Sequence, residues 1–287
     1  MASREVEFMR KITQRQIELF ERYLTVEEKS GATREKYVRD VKLFVAWLGA
    51  RAVDKECVVQ YKEYLRDGYS LSSINSMLSS LNCFFDFCGW RDIKVKSLKA
   101  QRRIFISEEK ELTKPEYERL LAAARSRKNQ RLYLLMQTLC STGIRISELR
   151  FITVEAVRNE CAEISCKGKS RQVFLPKQLC RILDRYVKEK KIKSGAVFVT
   201  RNGNPLDRSN IWSEMKKLCD DAGVSEKKVF PHNLRHLFAR TYYSLQKDIV
   251  RLADILGHSS VNTTRIYTME SGLTHKKHIQ RLGLLMC

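Results

Sequence analysis

Between residues 37 and 48 the apolar side chains fall at Tyr37, Val41, Phe44, Val45 and Leu48. Steps of three and four place them along one face of a helix with ~3.6 residues per turn. Leu71, Ile74, Met77, Leu78, Leu81, Phe84 and Phe85 repeat the pattern, and shorter amphipathic stretches lie near 12–24 and 54–66. Together they predict a small bundle of four helices, with Cys83 and Cys88, which flank the Phe84–Phe87 aromatics, in its core.

From 91 to 112 the periodicity fails, and Lys94, Lys96, Lys99, Arg102 and Arg103 follow in quick succession. This reads as a basic linker, either a solvated connection or a strap along a polyanion. A second domain opens at Thr113, which has capping-box spacing to Glu116, with Pro115 suited to a first helical turn. Further helices are expected near 115–125, 130–141, 177–190, 208–221, 232–245, 247–256 and 260–270. Residues 162–175 differ. Ala162 to Ser165, a turn over Lys167 to Ser170, and Arg171 to Leu175 predict a short β-hairpin. The expected class is therefore mainly α. A helical domain spans 1–92, a basic linker 93–112, and a mostly helical domain with a small hairpin 113–287.

Charge narrows the function. The 287 residues carry a net charge of +21, of which +4 falls in 1–100 and +17 in 101–287. Such one-sided charge favours a polyanion, with nucleic acid the leading candidate and solubility the plain alternative. No apolar run approaches the ~18 residues needed to span a bilayer. The start lacks the pattern of a secretory signal. The nine cysteines show no C-x-x-C pair and are expected as free thiols in a reducing compartment, without zinc or a disulfide framework.

Four clusters in the second half carry candidate chemistry. They are Thr142-Gly143-Ile144-Arg145-Ile146-Ser147-Glu148-Leu149, the hairpin turn with Lys167, Pro231-His232-Asn233-Leu234-Arg235-His236, and Leu256-Gly257-His258 with Tyr267 nine residues later. Each alone has an ordinary structural reading; the ordered set is specific. With these residues in this order, the chain resembles the tyrosine recombinases, or phage-type integrases. The resemblance covers nearly the whole chain and is best to their compact two-domain type, as in chromosome-dimer resolution recombinases. Thr33–Leu48 and Ser70–Phe87 are similar to the helical core-binding domain, of SAM-like type, and 113–287 to the catalytic domain. Only a short segment precedes the first helix, so no arm-binding domain is expected.

The resemblance implies six catalytic residues: Arg145, Lys167, His232, Arg235, His258 and the nucleophile Tyr267. The hairpin reads Cys166-Lys167-Gly168 where the family often has Gly-Lys-Gly, and Lys169 competes with Lys167 for the lysine role. The implied reaction is metal-free phosphoryl transfer on double-stranded DNA, without cofactor. It yields a 3′-phosphotyrosyl ester and a free 5′ hydroxyl, then strand exchange between two specific sites in a homotetramer. Two guanidiniums suit such a phosphate, because their forked donors match its oxygens and are always charged. His232 would accept the phenol proton and Lys167 would protonate the leaving oxygen. Glu148 would orient an arginine or histidine, or else be a surface carboxylate. His236, Tyr242 and Tyr243 read as structural. Lys94, Lys96, Lys99, Arg102, Arg103 and Lys169 are candidate DNA contacts. The tail 274–287, with Ile279, Leu282, Leu284, Leu285 and Met286, would dock on a neighbouring protomer or in cis. The expected location is the cytoplasm, at the nucleoid. Two other readings share these features: a binding-only regulator of the same fold, and a type IB topoisomerase.

Overall fold

The computed structural model describes residues 10–99, 108–166, 169–200, 202–267 and 280–281. The chain divides into two compact units, Met1–Arg102 and Arg103–Cys287. As expected, it is mainly α with one small antiparallel sheet.

The first unit holds α1 (Gln14–Val26), α2 (Gly31–Leu48), α3 (Lys55–Gly68) and α4 (Leu71–Phe87). Each starts where a short polar side chain, Thr13, Ser30, Asp54 or Ser70, accepts a hydrogen bond from the backbone of the first turn. The predicted stripes form the core, with Phe20, Phe44, Tyr61, Phe84 and Phe85 fully buried. Their rings meet edge-on, Phe44 against Tyr61 at 4.9 Å and Phe20 against Phe84 at 5.2 Å. Leu71 lies largely exposed in the first turn of α4, and Cys83 and Cys88 are half-buried against the core rather than inside it.

The expected linker behaves differently at its start. Ile93 and Val95 are buried in the first unit's core. Asn82 exchanges two hydrogen bonds with the backbone of Val95, and Asn75 two with that of Leu98. Lys94 pairs with Asp86 at 2.6 Å. Residues 93–99 are thus strapped along α4 by side chains seven positions apart, a device that apolar periodicity does not reveal.

The second unit contains α5 (Lys114–Ser126), α6 (Gln130–Thr142), α7 (Val154–Arg158), β1 (Cys161–Cys166), β2 (Lys169–Phe174), α8 (Lys177–Glu189), α9 (Arg208–Lys216), α10 (Cys219–Ala222), α11 (Pro231–Gln246), α12 (Ile249–Leu256) and α13 (Val261–Thr264). The expected capping box at Thr113 and Glu116 is present. The core is aliphatic, including Leu120, Leu132, Leu135, Met136, Leu139, Ile164 and Leu183.

Three local expectations change. Ser165 pairs with Ser170 and Cys166 with Lys169, so the strands are joined by two residues, and Lys169 and Ser170 belong to β2 rather than to a turn. The helix expected at 208–221 breaks after Lys216 and restarts at Cys219. Ile211, Met215, Leu218, Cys219 and Ala222 stay buried across the break, which hid it. The helix expected at 260–270 is a single turn, α13, followed by a 3-10 turn over Arg265–Tyr267, and 268–270 lie outside the described residues.

Candidate active site

After α6 the chain must turn sharply beneath α11. Gly143 does so at φ +66, where a Cβ would lie 2.3 Å from the Phe238 ring, so only glycine fits. This turn delivers Arg145 to the head of a 3-10 turn, Ile146–Phe151, rather than an α-helix. Glu148 in that turn is 1% exposed and accepts four hydrogen bonds. Arg145 donates from its backbone nitrogen (2.7 Å) and from Nη1 (3.0 Å). Arg171 of β2 donates from Nη1 (3.0 Å) and Nη2 (2.8 Å). Burial pushes the Glu148 carboxyl up, but the hydrogen bonds from Arg171 and Arg145 outweigh it and hold the group below the usual carboxylate range.

Arg235 projects from α11 and is also 1% exposed. Its Nη1 donates to the Gly143 carbonyl at 2.6 Å, and its Nη2 donates to the Leu256 carbonyl at 2.7 Å. Nη2 also lies 2.9 Å from His258 Nε2. Burial, then the nearby Arg145, lowers its pKa to about 10, while Tyr267 and Glu148 oppose the shift. Gly257 ends α12 in a left-handed conformation and places His258 behind this arginine. A guanidinium only donates, so His258 accepts at Nε2 and its Nδ1–H donates to Thr264 Oγ1, 2.8 Å away. In this arrangement Nε2 is occupied as an acceptor and carries no proton to donate to a bound anion.

Tyr267 is 3% exposed and packs with Ala239, Leu252 and Leu256. Its ring lies 4.9 Å from that of His236, edge-on, and 6.0 Å from that of His258, stacked. His236 in turn meets His232 edge-on at 4.6 Å. Burial is the first cause that pushes each of the three imidazoles down to about 4. Coulombic coupling to neighbours adds to it, with His236 and then the Arg235 cation for His232, and with Arg235 for the other two. All three are therefore neutral near pH 7. Arg145, His232 and Arg235 open onto a cleft of about 590 Å³ that Arg208, Trp212 and Phe230 also line.

Arg145, Glu148, His232, Arg235, His258 and Tyr267, distant in sequence, thus lie together. Lys167 lies outside the described residues, as do Arg102, Arg103 and all of the tail except Gln280 and Arg281. Lys169 sits in β2 opposite Cys166. Lys96 and Lys99 are exposed, whereas the Lys94 amine is held by Asp86. Two members of the cluster were not anticipated. His236, which reads as structural from the sequence, lies one helical turn beyond His232 and touches both His232 and Tyr267. Arg171 carried one faint signal, a charge two residues before the buried Val173 and so on the inward face of a strand. Among the described residues no cluster of histidine, cysteine and carboxylate side chains could hold a metal, and no helix is long and apolar enough to cross a membrane.

Comparison with known proteins places this cluster in context. Residues 110–272 match the phage integrase family and 17–92 the phage integrase N-terminal SAM-like domain. The tyrosine recombinase XerA of Thermococcus kodakarensis is 33% identical over 263 residues, 88% of this chain and 89% of that protein. The tyrosine recombinase XerD of Halalkalibacterium halodurans is 27% identical, covering 83% of this chain and 87% of its own. Among solved structures, a XerA recombinase aligns with a TM-score of 0.53 at 26% identity, over 95% of this chain and 99% of the other. A lambda integrase tetramer bound to a Holliday junction aligns at 0.70 and 18% identity, over 88% of this chain and 76% of the other, a likeness of fold.

Proposed function

The chain belongs to the phage integrase family, with tyrosine recombinases among its relatives, and on that premise we propose that it is a site-specific DNA recombinase whose nucleophile is Tyr267. The observation that carries this reading is the packing of the Tyr267 ring against His236 and His258, with Arg235 and His232 in the same cluster. In the proposed reaction the phenol oxygen attacks the scissile phosphorus while its proton passes to His232. A phenol has a pKa of about 10, so it needs such an acceptor. A pKa of about 4 leaves His232 unprotonated at neutral pH, and the negative charge of a phosphate bound beside it raises its basicity towards that of a general base. Arg145 and Arg235 hold the non-bridging oxygens as charge builds on them. The bond to the 5′ oxygen breaks, and that oxygen takes a proton, in our reading from Lys167. The 3′-phosphotyrosyl ester keeps the bond energy, so a 5′ hydroxyl from a second duplex can reverse the step without a nucleotide cofactor or a metal.

The same reading makes Lys96, Lys99, Arg102, Arg103 and Lys169 contacts to double-stranded DNA and makes the working assembly a homotetramer on paired sites. The 274–287 tail docks between protomers, and the location is the cytoplasm at the nucleoid. A binding-only regulator would have no use for this ordered catalytic set, and the relatives named above are tyrosine recombinases rather than type IB topoisomerases.

The test is covalent capture. A pool of nicked duplexes with randomised sequence flanking the nick is incubated with the protein and resolved under denaturing conditions. The wild type is expected to retain DNA covalently, with peptide mapping to Tyr267, and Tyr267→Phe is expected to retain none at unchanged affinity. An adduct on Tyr242, Tyr243 or any other residue, or none at all, would overturn the assignment.

A further inference from the structure

We propose that Arg171 is a positioning residue that keeps Arg145 available to the phosphate by occupying Glu148 in its place; this rests on the recombinase reading above. Glu148 is a buried carboxylate shared by two arginines, and they share it unequally. Arg171 forms the two-pronged fork, one nitrogen on each oxygen, at 3.0 and 2.8 Å. Arg145 donates a single side-chain bond at 3.0 Å and satisfies the other oxygen through its backbone nitrogen instead. The planar fork is the strongest way for a guanidinium to hold a carboxylate. Arg171 holds it, so Arg145 does not.

Exposure divides the two roles in the same sense. The Arg145 side chain is 39% exposed and lines the cleft, whereas that of Arg171 is 17% exposed. Arg171 is also wedged against the turn that carries His258. A Cβ on Gly257 would lie 2.8 Å from Arg171 Cδ and 2.9 Å from its Nη1. Its inward strand position, opposite the buried Ile164, fixes the other end. With two cations on one carboxylate, one positive charge remains, and the geometry leaves it on Arg145. Without Arg171, the Glu148 carboxylate can turn and take Arg145 in the fork, withdrawing it from the cleft.

The experiment measures single-turnover adduct formation on the captured nicked site, with DNA affinity measured in parallel. Arg171→Met is expected to slow cleavage about 10- to 100-fold, with affinity changed no more than about 3-fold. Adding Glu148→Gln to Arg171→Met removes the charge that would trap Arg145, and cleavage is expected to recover at least 5-fold over the single variant. A purely structural arginine predicts the opposite, a double variant as slow as Arg171→Met or slower, and that result refutes the proposal. Should Arg171→Met fail to fold, Arg171→Lys keeps the buried charge without the fork and carries the same expected rescue by Glu148→Gln. Absence of any Tyr267 adduct with the wild type refutes the recombinase reading itself, separately from this proposal.

Discussion

The two units bury polar groups for different ends. Among the described residues of the first, the buried polar side chains are Asp40 and Ser80, which bond to each other at 2.8 Å. Lys36 joins the same carboxylate, and the cluster pins α2 to α4. Everything else at its centre is aliphatic and aromatic packing. In the second unit Glu148, Asn233, Arg235 and Thr264 are buried, and most of their hydrogen bonds converge on the three segments that carry Arg145, Arg235 and His258. Burying charge adds little net stability, since desolvation offsets the Coulomb attraction, and breaking such a pair is expensive. Apart from the Lys36–Asp40–Ser80 cluster, the first unit is a scaffold held by packing. The second accepts ions that packing alone would exclude, because a fixed donor array needs no reorganisation when charge develops on a phosphate.

That contrast can be broken at either end. Arg235→Lys keeps the charge but loses the fork that reaches Gly143, Leu256 and His258 at once. Adduct formation in single-turnover assays is expected to fall about 10³-fold, the scale of losing one oriented donor, with DNA affinity nearly unchanged. Phe44→Ala deletes a fully buried ring from the first unit. Denaturant unfolding followed by tryptophan fluorescence is expected to show a loss of about 3 kcal/mol, and cleavage per bound complex should stay at the wild-type rate. If Phe44→Ala slows the chemistry as much as Arg235→Lys does, the division between scaffold and site is wrong.

The smallest effect sharpens the comparison through pH. His232, His236 and His258 are held neutral in the folded second unit, down to about 4. The unfolded chain protonates its histidines near 6.5, so as pH falls from about 6.5 towards 4 the unfolded state binds protons first and the second unit loses stability. Stability contributed by these groups is fully present above about 6.5 and declines below it. Cleavage depends on a neutral His232, so its acid limb is expected nearer 4 than 6.5 in single-turnover rates across pH. A midpoint at 6.5 would show that His232 is an ordinary solvated imidazole.

The helices were legible because their burial is periodic, and Val41, Phe44 and Leu48 in α2 and the predicted apolar positions from Ile74 to Phe85 in α4 are buried where the spacing placed them, with Leu71 exposed at the helix start. The candidate site was legible only as an ordered set of motifs, since no single one of them is specific. What remained hidden was held by hydrogen bonds rather than by burial, and hydrogen bonds leave no period. Asn75 and Asn82 strap 93–99 to α4 through backbone atoms that any residue supplies. The α9–α10 break kept its apolar positions, and a two-residue hairpin connection shifted Lys169 from turn to strand.

Sequence by itself determined the helical class and the basic second half, whereas the candidate residues for holding and attacking a phosphate came from the resemblance of an ordered set of motifs to a known family. Composition and spacing are sufficient for the class and the charge because these follow from local propensity, burial and charge. Tertiary structure alone decided which donor meets which acceptor. It placed Arg171 rather than Arg145 in the fork on Glu148, turned His258 Nε2 towards Arg235, and set His236 between His232 and Tyr267. Each is a competition among chemically similar groups, settled by differences of an ångström in where β2, α11 and the turn after α12 come to rest, and such distances are not written in any local stretch of the chain.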